Sequence, residues 1–346
     1  MEPDECATLL KPGPKNPDKA PIENMLEVTE MGVLGPDIFT NTRRPWHPAG
    51  ARGIYGGSVI AQCLASAQKT VPDTFLVHSC HCYFLLAGSA DVPILFHVER
   101  VRDGRSFATR TVQARQRGRC IFTTTISFVR VGSGGRVSLH HTVPLPDGVA
   151  APDDDWDGGV EPGREERFQT YKIDVLSSEE TSPRLDRRKM RQWIRSRGKI
   201  SDAGGHQAHL NALAYLSDSY FLNAIARIHR LWPYHFAPED VPTMPEKARS
   251  KIERELAAGG SSVEDYLGRP RWGMLVSLDH SIYFHEPLEV RADEWMFTET
   301  ESPWSGDGRG VVMQRIFNKD GTLVATCVQE GVTRLAQDGT GSSAKL

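Results

Sequence analysis

The feature that most constrains this chain is an internal duplication, in which a helix followed by four strands occurs twice. Apolar residues at helical spacing predict helices over residues 57–71 and 210–228. Runs rich in β-branched and aromatic residues follow each helix and predict strands. In the first copy these strands cover residues 75–86, 93–102, 106–117 and 120–131, and in the second copy residues 274–284, 288–302, 310–318 and 323–335.

Short motifs at matching positions support the duplication. His81-Cys82-Tyr83-Phe84 in the first copy corresponds to His280-Ser281-Ile282-Tyr283 in the second. Asp103-Gly104-Arg105-Ser106 corresponds in the same way to Asp307-Gly308-Arg309-Gly310. The sequence therefore predicts an α+β protein with two similar domains in tandem.

The domain boundaries follow from changes in composition. A length of 346 residues suits about two domains. We expect an N-terminal domain over residues 22–131, a C-terminal domain over residues 186–336 and a flexible polar tail over residues 337–346. Residues 132–185 are rich in Gly, Pro and Asp, which predicts a linker with at most one short ordered piece near residues 168–175. Residues 234–271 interrupt the C-terminal domain, and we interpret them as a surface insertion with a charged helix over residues 245–258.

Charge and hydropathy exclude several classes of partner. The formal net charge is −3, so the chain as a whole has no attraction for nucleic acid, and an anionic ligand needs a local basic patch. No apolar run approaches the ~20 residues that span a bilayer. The six cysteines include no CxxC pair, which indicates reduced and mostly buried thiols.

Common catalytic and metal-binding motifs are absent from the sequence. It contains no G-x-S-x-G elbow, no phosphate-binding loop of the G-x-x-x-x-G-K-[ST] type, no G-x-G-x-x-G and no H-E-x-x-H. On a strand His78, Cys80 and Cys82 share one face at intervals of about 6.5 Å, which does not suit a single metal ion. We therefore predict no metal site, and we interpret this cluster as buried thiols beside a hydrogen-bonded core histidine.

Segments of both copies resemble the type II acyl-CoA thioesterases, a double-hotdog family with bacterial and peroxisomal members. The N-terminal segments are Tyr55-Gly56-Gly57-Ser58-Val59-Ile60-Ala61-Gln62, Val77-His78-Ser79-Cys80-His81-Cys82-Tyr83-Phe84 and Val98-Glu99-Arg100-Val101-Arg102-Asp103-Gly104-Arg105-Ser106-Phe107. The C-terminal segments are Ala214-Tyr215-Leu216-Ser217-Asp218, Ser277-Leu278-Asp279-His280-Ser281, Glu301-Ser302-Pro303-Trp304 and Val328-Gln329-Glu330-Gly331-Val332. The chain departs from the family pattern in its linker, its insertion and its N-terminal extension.

This resemblance implies a fold, a reaction and a set of site residues. The fold is a double hotdog, with two tandem antiparallel sheets that each wrap around a central helix. The reaction is the hydrolysis of fatty acyl-CoA to free fatty acid and coenzyme A, and the catalytic set, carried over by position, is Asp218, Ser277 and Gln329. No metal or other cofactor is implied, because the thiolate is already a good leaving group.

The same three residues are less telling when each is considered alone. Asp218 lies on or beside the apolar face of its predicted helix, where a carboxylate is costly to bury without a partner. Ser277 and Gln329 lie on predicted strands among apolar neighbours, where polar side chains often only satisfy the backbone. Together, however, a carboxylate, a hydroxyl and an amide can hold one water molecule, with Asp218 as general base.

Other residues are candidates for supporting roles. Asp279 shares a strand face with Ser277, and we interpret it as a supporting or structural residue. The helix that begins after Gly56-Gly57 is one possible source of backbone N–H groups for the oxyanion, which makes Gly57 a candidate substrate-binding residue.

The coenzyme A phosphates call for basic side chains. The strongest basic cluster provides the candidates Arg187, Arg188, Arg191 and Arg195, although a solvated strand face explains the same pattern. Arg43, Arg44 and Arg52 are weaker candidates, and we interpret His47 and His78 as structural residues.

The tail and the fold suggest a compartment and an assembly. Ala344-Lys345-Leu346 resembles the Ser-Lys-Leu address, which predicts import into the peroxisome matrix by the receptor that reads it. Hotdog sheets commonly pair edge to edge, so we expect a homodimer.

Two alternative functions share the fold. One is a double-hotdog enoyl-CoA hydratase, but its G-D-x-N-P-[LIV]-H pattern is absent, since Asp279 and His280 are adjacent. The other is an acyl-CoA-binding module without chemistry, against which the retained Asp218, Ser277 and Gln329 argue.

Overall fold

The computed structural model describes residues 13–48, 51–153, 168–172, 182–219, 221–234, 236–257 and 261–336. Cys6, the tail over residues 337–346 and the Ala344-Lys345-Leu346 address lie outside the described residues. The domain boundaries given above stay predictions.

The strands of the N-terminal half form one curved antiparallel sheet in the order β1-β2-β4-β5-β6-β3. They are β1 (Val28–Glu30), β2 (Ile38–Asn41), β3 (Phe75–Phe84), β4 (Leu95–Asp103), β5 (Phe107–Gln116) and β6 (Arg119–Arg130). Alternate residues along β5 are buried, which is the period expected when one face of a sheet covers a core.

The strands of the C-terminal half follow in the order β10-β13-β12-β11-β8-β7, and β9 also pairs with β13. They are β7 (Phe168–Lys172), β8 (Lys189–Ser196), β9 (Trp272–Ser277), β10 (Asp279–Phe284), β11 (Met296–Gly306), β12 (Arg309–Phe317) and β13 (Leu323–Leu335). The ordered piece expected near residues 168–175 is thus confirmed as an edge strand.

Two buried helices meet inside this sheet. The α-helices are α1 (Pro21–Leu26), α2 (Gly56–Gln68), α3 (Gly205–Ser217), α4 (Asn223–Ile228) and α5 (Glu246–Ala257). Short 3-10 helices cover Gly32–Leu34, Leu185–Arg187, Pro238–Thr243, Glu264–Tyr266 and Pro287–Glu289. Every residue of α2 after Gly56 is buried, and α3 packs directly against it, as the two central helices of a double hotdog should. Within the described ranges, no helix is long and apolar enough to cross a bilayer.

The two half-sheets are joined edge to edge rather than separate. Strand β3 pairs antiparallel with β10, with Ser281 opposite His81 and Ile282 opposite Cys80. The expectation of two tandem sheets is therefore refined to one continuous sheet that wraps around both central helices. This junction places the start of α2 next to the end of α3.

The predicted helix over residues 210–228 is wrong in one respect, because it is broken after Ser217. The Tyr215 carbonyl accepts a hydrogen bond from the Tyr55 hydroxyl at 2.9 Å. The Ser219 N–H, which would bind that carbonyl in a continuing helix, donates instead to the Leu216 carbonyl at 2.9 Å. The break leaves Asp218 at the helix end.

Two predicted strands also differ from the structure. The strand over residues 274–284 is divided at Leu278, whose N–H donates to the Glu330 carbonyl while its own carbonyl accepts from Phe84 N–H, both at 2.9 Å. Leu278 therefore pairs with β13 through its N–H and with β3 through its carbonyl oxygen. The strand expected to begin at residue 288 begins at Met296, because a 3-10 helix and an irregular segment come first.

The linker and the insertion each contribute to a smaller apolar cluster. Leu145 and Val149 of the linker pack against a cluster of four buried aromatic residues. These are Trp193 on β8, Trp295 just before β11, Phe297 on β11 and Phe317 on β12. The insertion has its own core, in which Val241, Ile252 and Leu256 pack with Trp232, which lies just before the insertion. Its charged helix is confirmed as α5.

The cysteine and histidine cluster on β3 is structural. Cys80 and Cys82 are buried with their sulfurs 3.5 Å apart, and Cys63 and Cys327 are buried as well. The Nε2 atom of His78 hydrogen-bonds to the Ser127 hydroxyl at 2.8 Å. The interpretation as buried thiols beside a hydrogen-bonded histidine is confirmed, but His78 is only half-buried and not a core residue, because it lies at a β-bulge between Val77 and Ser79.

Candidate active site

Asp218 lies where the two halves of the molecule meet. The break at the end of α3 turns its carboxylate towards the first residues of α2, and the backbone N–H of Gly57 donates a hydrogen bond to it. A β-carbon at Gly56 would lie 2.8 Å from an oxygen of this carboxylate. Only a residue without a side chain allows this approach, which explains the glycine at that position.

The environment of Asp218 raises its pKa to about 7 from a usual value of 3.8. Burial is the main cause, since it disfavours the charged carboxylate. Hydrogen bonds from the Gly57 N–H and the Gln329 amide favour the charged form and limit the rise. A carboxyl group with a pKa near neutrality can both accept and release a proton at physiological pH.

The other two residues of the expected set lie beside this carboxylate. Gln329 is fully buried on β13, and its Nε2 atom donates to the Ser277 hydroxyl oxygen at 2.6 Å. The same amide hydrogen-bonds to Asp218. The pairing of β9 with β13 sets Ser277 opposite Gly331, two residues beyond Gln329. The structure thus brings Asp218, Ser277 and Gln329 together.

His280 belongs to the same cluster, although it was not among the residues predicted for the site. Its side chain is fully buried, with Nδ1 2.6 Å from Gln329 Oε1 and Nε2 3.0 Å from the Ser217 hydroxyl. Burial lowers the pKa of His280 to about 4, so its ring is neutral at pH 7. An amide oxygen only accepts, so Nδ1 carries the ring proton. The Ser217 hydroxyl beside Nε2 donates to the Ala214 carbonyl oxygen at 2.9 Å. The sequence signal that could have found His280 is its place on a predicted strand, on the face opposite to that of Ser277 and Asp279.

The N-terminal half supplies the surroundings of the carboxylate. A β-carbon at Gly56 would also meet the ring of Phe84 at 2.7 Å, and one at Gly57 would meet the Tyr215 carbonyl oxygen at 2.5 Å. The Tyr55 hydroxyl binds both that carbonyl and the Ser219 hydroxyl. Residues from α2 and β3 therefore enclose a carboxylate that comes from the other half of the chain.

Gly57 has a contact different from the one expected, whereas Asp279 has a contact of the structural kind. The Gly57 N–H, expected to face the substrate, is directed at Asp218. Asp279 is structural, because its Oδ1 atom accepts from the Glu330 N–H at 2.7 Å and fixes the strand division at Leu278.

The basic cluster is largely engaged in holding the sheet together. Arg191 is buried and donates from Nε to Glu299 at 2.8 Å. Arg188 donates to the carbonyl oxygens of Ser182 and Ile228. Arg195 lies over the Trp295 ring at 4.3 Å, whereas Arg187 is exposed. For Arg191 the expectation of a phosphate contact is wrong, since its charge is buried against a carboxylate; for the other three it stays a prediction.

Comparison with known families gives two matches that together cover most of the chain. The family described as "Acyl-CoA thioesterase N-terminal domain" matches residues 42–129. The family described as "Acyl-CoA thioesterase C-terminal domain" matches residues 145–333, a range that includes Asp218, Ser277, His280 and Gln329.

Individual proteins and structures are similar over nearly the full length. Acyl-coenzyme A thioesterase 8 of Mus musculus is 32% identical over 327 residues, which covers 89% of this chain and 88% of that protein. The peroxisomal acyl-coenzyme A thioester hydrolase 1 of Saccharomyces cerevisiae is 26% identical, with 90% and 95% covered. The crystal structure of an acyl-CoA thioesterase II from Mycobacterium marinum superposes with a TM-score of 0.64 at 30% identity, covering 92% of this chain and 99% of that one.

Proposed function

This chain belongs to the type II acyl-CoA thioesterase family and hydrolyses acyl-CoA thioesters, and we propose that Asp218, Ser277 and Gln329 direct the attacking water. The observation that carries this proposal is the Asp218 carboxylate, with its pKa of about 7, beside the hydrogen-bonded pair of Gln329 and Ser277.

In the proposed reaction Asp218 accepts a proton from a water molecule as that water attacks the thioester carbonyl carbon. The Asp218 carboxylate and the Ser277 hydroxyl hold the water by hydrogen bonds. Gln329 fixes both groups, because its two amide protons are donated to Ser277 and Asp218. The C–O bond forms and the carbonyl becomes an oxyanion, which the positive end of α2 stabilises. The C–S bond then breaks, the carbonyl is restored, and the coenzyme A thiolate leaves with the proton held by Asp218, which returns to the carboxylate form. Free fatty acid and coenzyme A are the products, and the cycle contains no covalent acyl-enzyme.

His280 acts in this scheme as a positioning residue. Its Nδ1–H holds the oxygen end of the Gln329 amide, so the NH₂ end is directed at Ser277 and Asp218. The reversed amide would place its oxygen against the Asp218 carboxylate. This arrangement is unfavourable, because both groups only accept hydrogen bonds. A neutral, buried His280 therefore fixes the direction in which Gln329 donates.

A single-turnover experiment tests the direct attack of water. With enzyme in excess over a fatty acyl-CoA, coenzyme A and free acid should form with the same rate constant. Release of coenzyme A ahead of the acid would show a covalent acyl-enzyme and overturn this part of the proposal. A Ser277→Ala variant, which has no hydroxyl to be acylated, should lose rate while the two products still form together.

We also propose that the protein works in the peroxisome. The support is the Saccharomyces cerevisiae relative, which is named as peroxisomal, together with the Ala344-Lys345-Leu346 sequence. A fluorescent protein fused ahead of residue 1 should enter peroxisomes, and deletion of these three residues should leave it outside. Unchanged targeting after the deletion would contradict a receptor that reads this tripeptide.

The expected homodimer is likewise a proposal. Tyr83 and Tyr283 are 59% and 44% exposed on the outer face of the paired strands β3 and β10, so this face offers aromatic surface to a second copy of the chain. Light scattering should give twice the chain mass, and Tyr83→Lys with Tyr283→Lys should reduce it to one chain. A monomeric wild-type protein would contradict the proposal.

A further inference from the structure

A surface depression of about 470 Å³ opens beside the start of α2 and lies outside the catalytic cluster. Its lining consists of His47, Arg52 and residues 87–91. His47 and Arg52 are both exposed, so the imidazole and the guanidinium can reach a ligand in the depression.

The positive charge of Arg52 is not neutralised by Asp91, the carboxylate that also lines the depression. Asp91 forms an ion pair with Arg44, whose Nε atom also donates to the Ala90 carbonyl at 3.0 Å. Among the described residues, no carboxylate lies within ion-pair distance of Arg52. The lining therefore presents a cation in a protein with a net charge of −3.

The floor of the depression is held in place by hydrogen bonds. The Gln116 side chain accepts from the Ser89 N–H at 2.8 Å and donates to the Ser89 and Val92 carbonyl oxygens at 2.8 and 2.6 Å. Ile54 donates its N–H to the Gly88 carbonyl at 3.0 Å. A surface that is already ordered binds a ligand with little further loss of entropy.

Two neighbouring chain segments lead from the lining of the depression to the catalytic carboxylate. Residues 52–56 and 84–88 run side by side, since Ile54 is hydrogen-bonded to Gly88 and Gly56 contacts Phe84. Gly56 and Phe84 are the two residues that contact each other beside Asp218. Gly56 lies four residues after Arg52 in the chain, so their Cα atoms are at most ~14 Å apart. The pantetheine arm of coenzyme A is long enough to span this distance.

We propose that this depression binds the phosphate-bearing nucleotide end of coenzyme A, with Arg52 as the residue that pairs with a phosphate. The inference rests on the proposed function, because it assumes that the thioester lies at Asp218. The nucleotide then remains at the surface while the pantetheine arm extends over residues 52–56 and 84–88 to the catalytic cluster.

The charge assignment is tested with Arg52→Gln and a charge-matched control, Arg105→Gln. Arg105 is exposed in the turn between β4 and β5, away from the depression. Arg52→Gln should raise the KM for acyl-CoA roughly three- to tenfold with little change in kcat, the loss expected for one partly solvated charge contact. The KM of this variant should also depend less on ionic strength than that of wild type. Arg105→Gln should change none of these values.

The same acyl group on pantetheine alone distinguishes nucleotide binding from a general effect. This substrate has no phosphates, so Arg52→Gln and wild type should hydrolyse it with equal KM. An equal rise in KM for both substrates would overturn the proposal, and so would a rise caused by Arg187→Gln but not by Arg52→Gln.

Binding without turnover separates this inference from the proposed reaction. Adenosine 3′,5′-bisphosphate, titrated calorimetrically, should bind wild type and bind Arg52→Gln more weakly. Equal binding to both, or binding to neither, would contradict the depression as a nucleotide site. A wild type that binds the bisphosphate but hydrolyses no acyl-CoA would contradict the proposed function and leave the binding site in place.

Discussion

The backbone N–H of Gly57, in the N-terminal half, donates a hydrogen bond to the carboxylate of Asp218, in the C-terminal half. This contact joins the start of α2 to the end of α3. It makes the catalytic cluster a product of both halves, although Asp218, Ser277, His280 and Gln329 all come from one of them. A defect in the packing of α2 against α3 should therefore lower the rate of hydrolysis.

Substitution of Gly57 by alanine tests that dependence. The added methyl would lie 2.5 Å from the Tyr215 carbonyl oxygen, so α2 has to move away from α3. We expect a loss of about 1–3 kcal/mol in the free energy of unfolding and a fall in kcat of at least tenfold. Gly32→Ala is the matched control, because nothing lies within 4 Å of its added methyl. A Gly57→Ala enzyme with wild-type kcat would show that the contact does not matter for catalysis.

The pKa of Asp218 predicts the pH dependence of hydrolysis. A general base works only when deprotonated, so kcat/KM should rise through pH 7 and level off above it, since the pKa is about 7. At pH 5 the rate should be about a hundredfold below the plateau, because two pH units leave roughly 1% of the base ionised. A pH–rate profile measured with a neutral acyl chain checks this. A flat profile from pH 5 to 8 would contradict the assignment.

The positioning role of His280 is tested by comparing two substitutions. His280→Leu removes the Nδ1–H donor, whereas His280→Asn offers an amide N–H near the same place. We expect kcat to fall roughly 10–100-fold in the leucine variant with KM unchanged, and the asparagine variant to recover much of that loss. His285→Gln is the control, since His285 is exposed and hydrogen-bonded to Thr326 at 2.8 Å. Equal losses in both His280 variants would indicate a packing role only.

Asp218 should also cost the protein stability at high pH. Its folded-state pKa of about 7 lies above the usual 3.8, so the folded state holds the proton more tightly. Stability from this group is therefore present below pH 4 and is lost as the pH rises towards 7. Asp218→Asn should match wild type in thermal unfolding near pH 4.5 and be about 1–2 kcal/mol more stable at pH 8. A variant that is less stable than wild type at pH 8 would contradict an unfavourable buried charge.

Much of the fold follows from sequence patterns, because its elements obey local rules. Helix α2 and strands β3 to β6 have regular apolar periods, and the structure places them within a few residues of the prediction. The break after Ser217 was not predictable in this way, since the Tyr55 hydroxyl that caps Tyr215 lies 160 residues away in sequence. The division at Leu278 has the same kind of cause, because Leu278 contacts β3 and β13 at once.

The site residues, like the elements of the fold, were predictable only in part. Asp218, Ser277 and Gln329 follow from the family resemblance, but their residue types alone fit structural roles equally well. His280 became visible only when the distance from its Nδ1 to Gln329 was known. The basic cluster misled for a physical reason, since charge in a sequence does not show whether a side chain is buried against a carboxylate, as Arg191 is against Glu299.

Release of free thiol from a series of fatty acyl-CoAs, measured with wild type and Asp218→Asn, tests the central claim most directly. The substitution keeps the shape of the side chain and removes the base. We predict turnover by wild type and a loss of at least ~100-fold in kcat for the variant, the low end for general-base catalysis. Equal turnover by the two proteins would contradict Asp218 as the base.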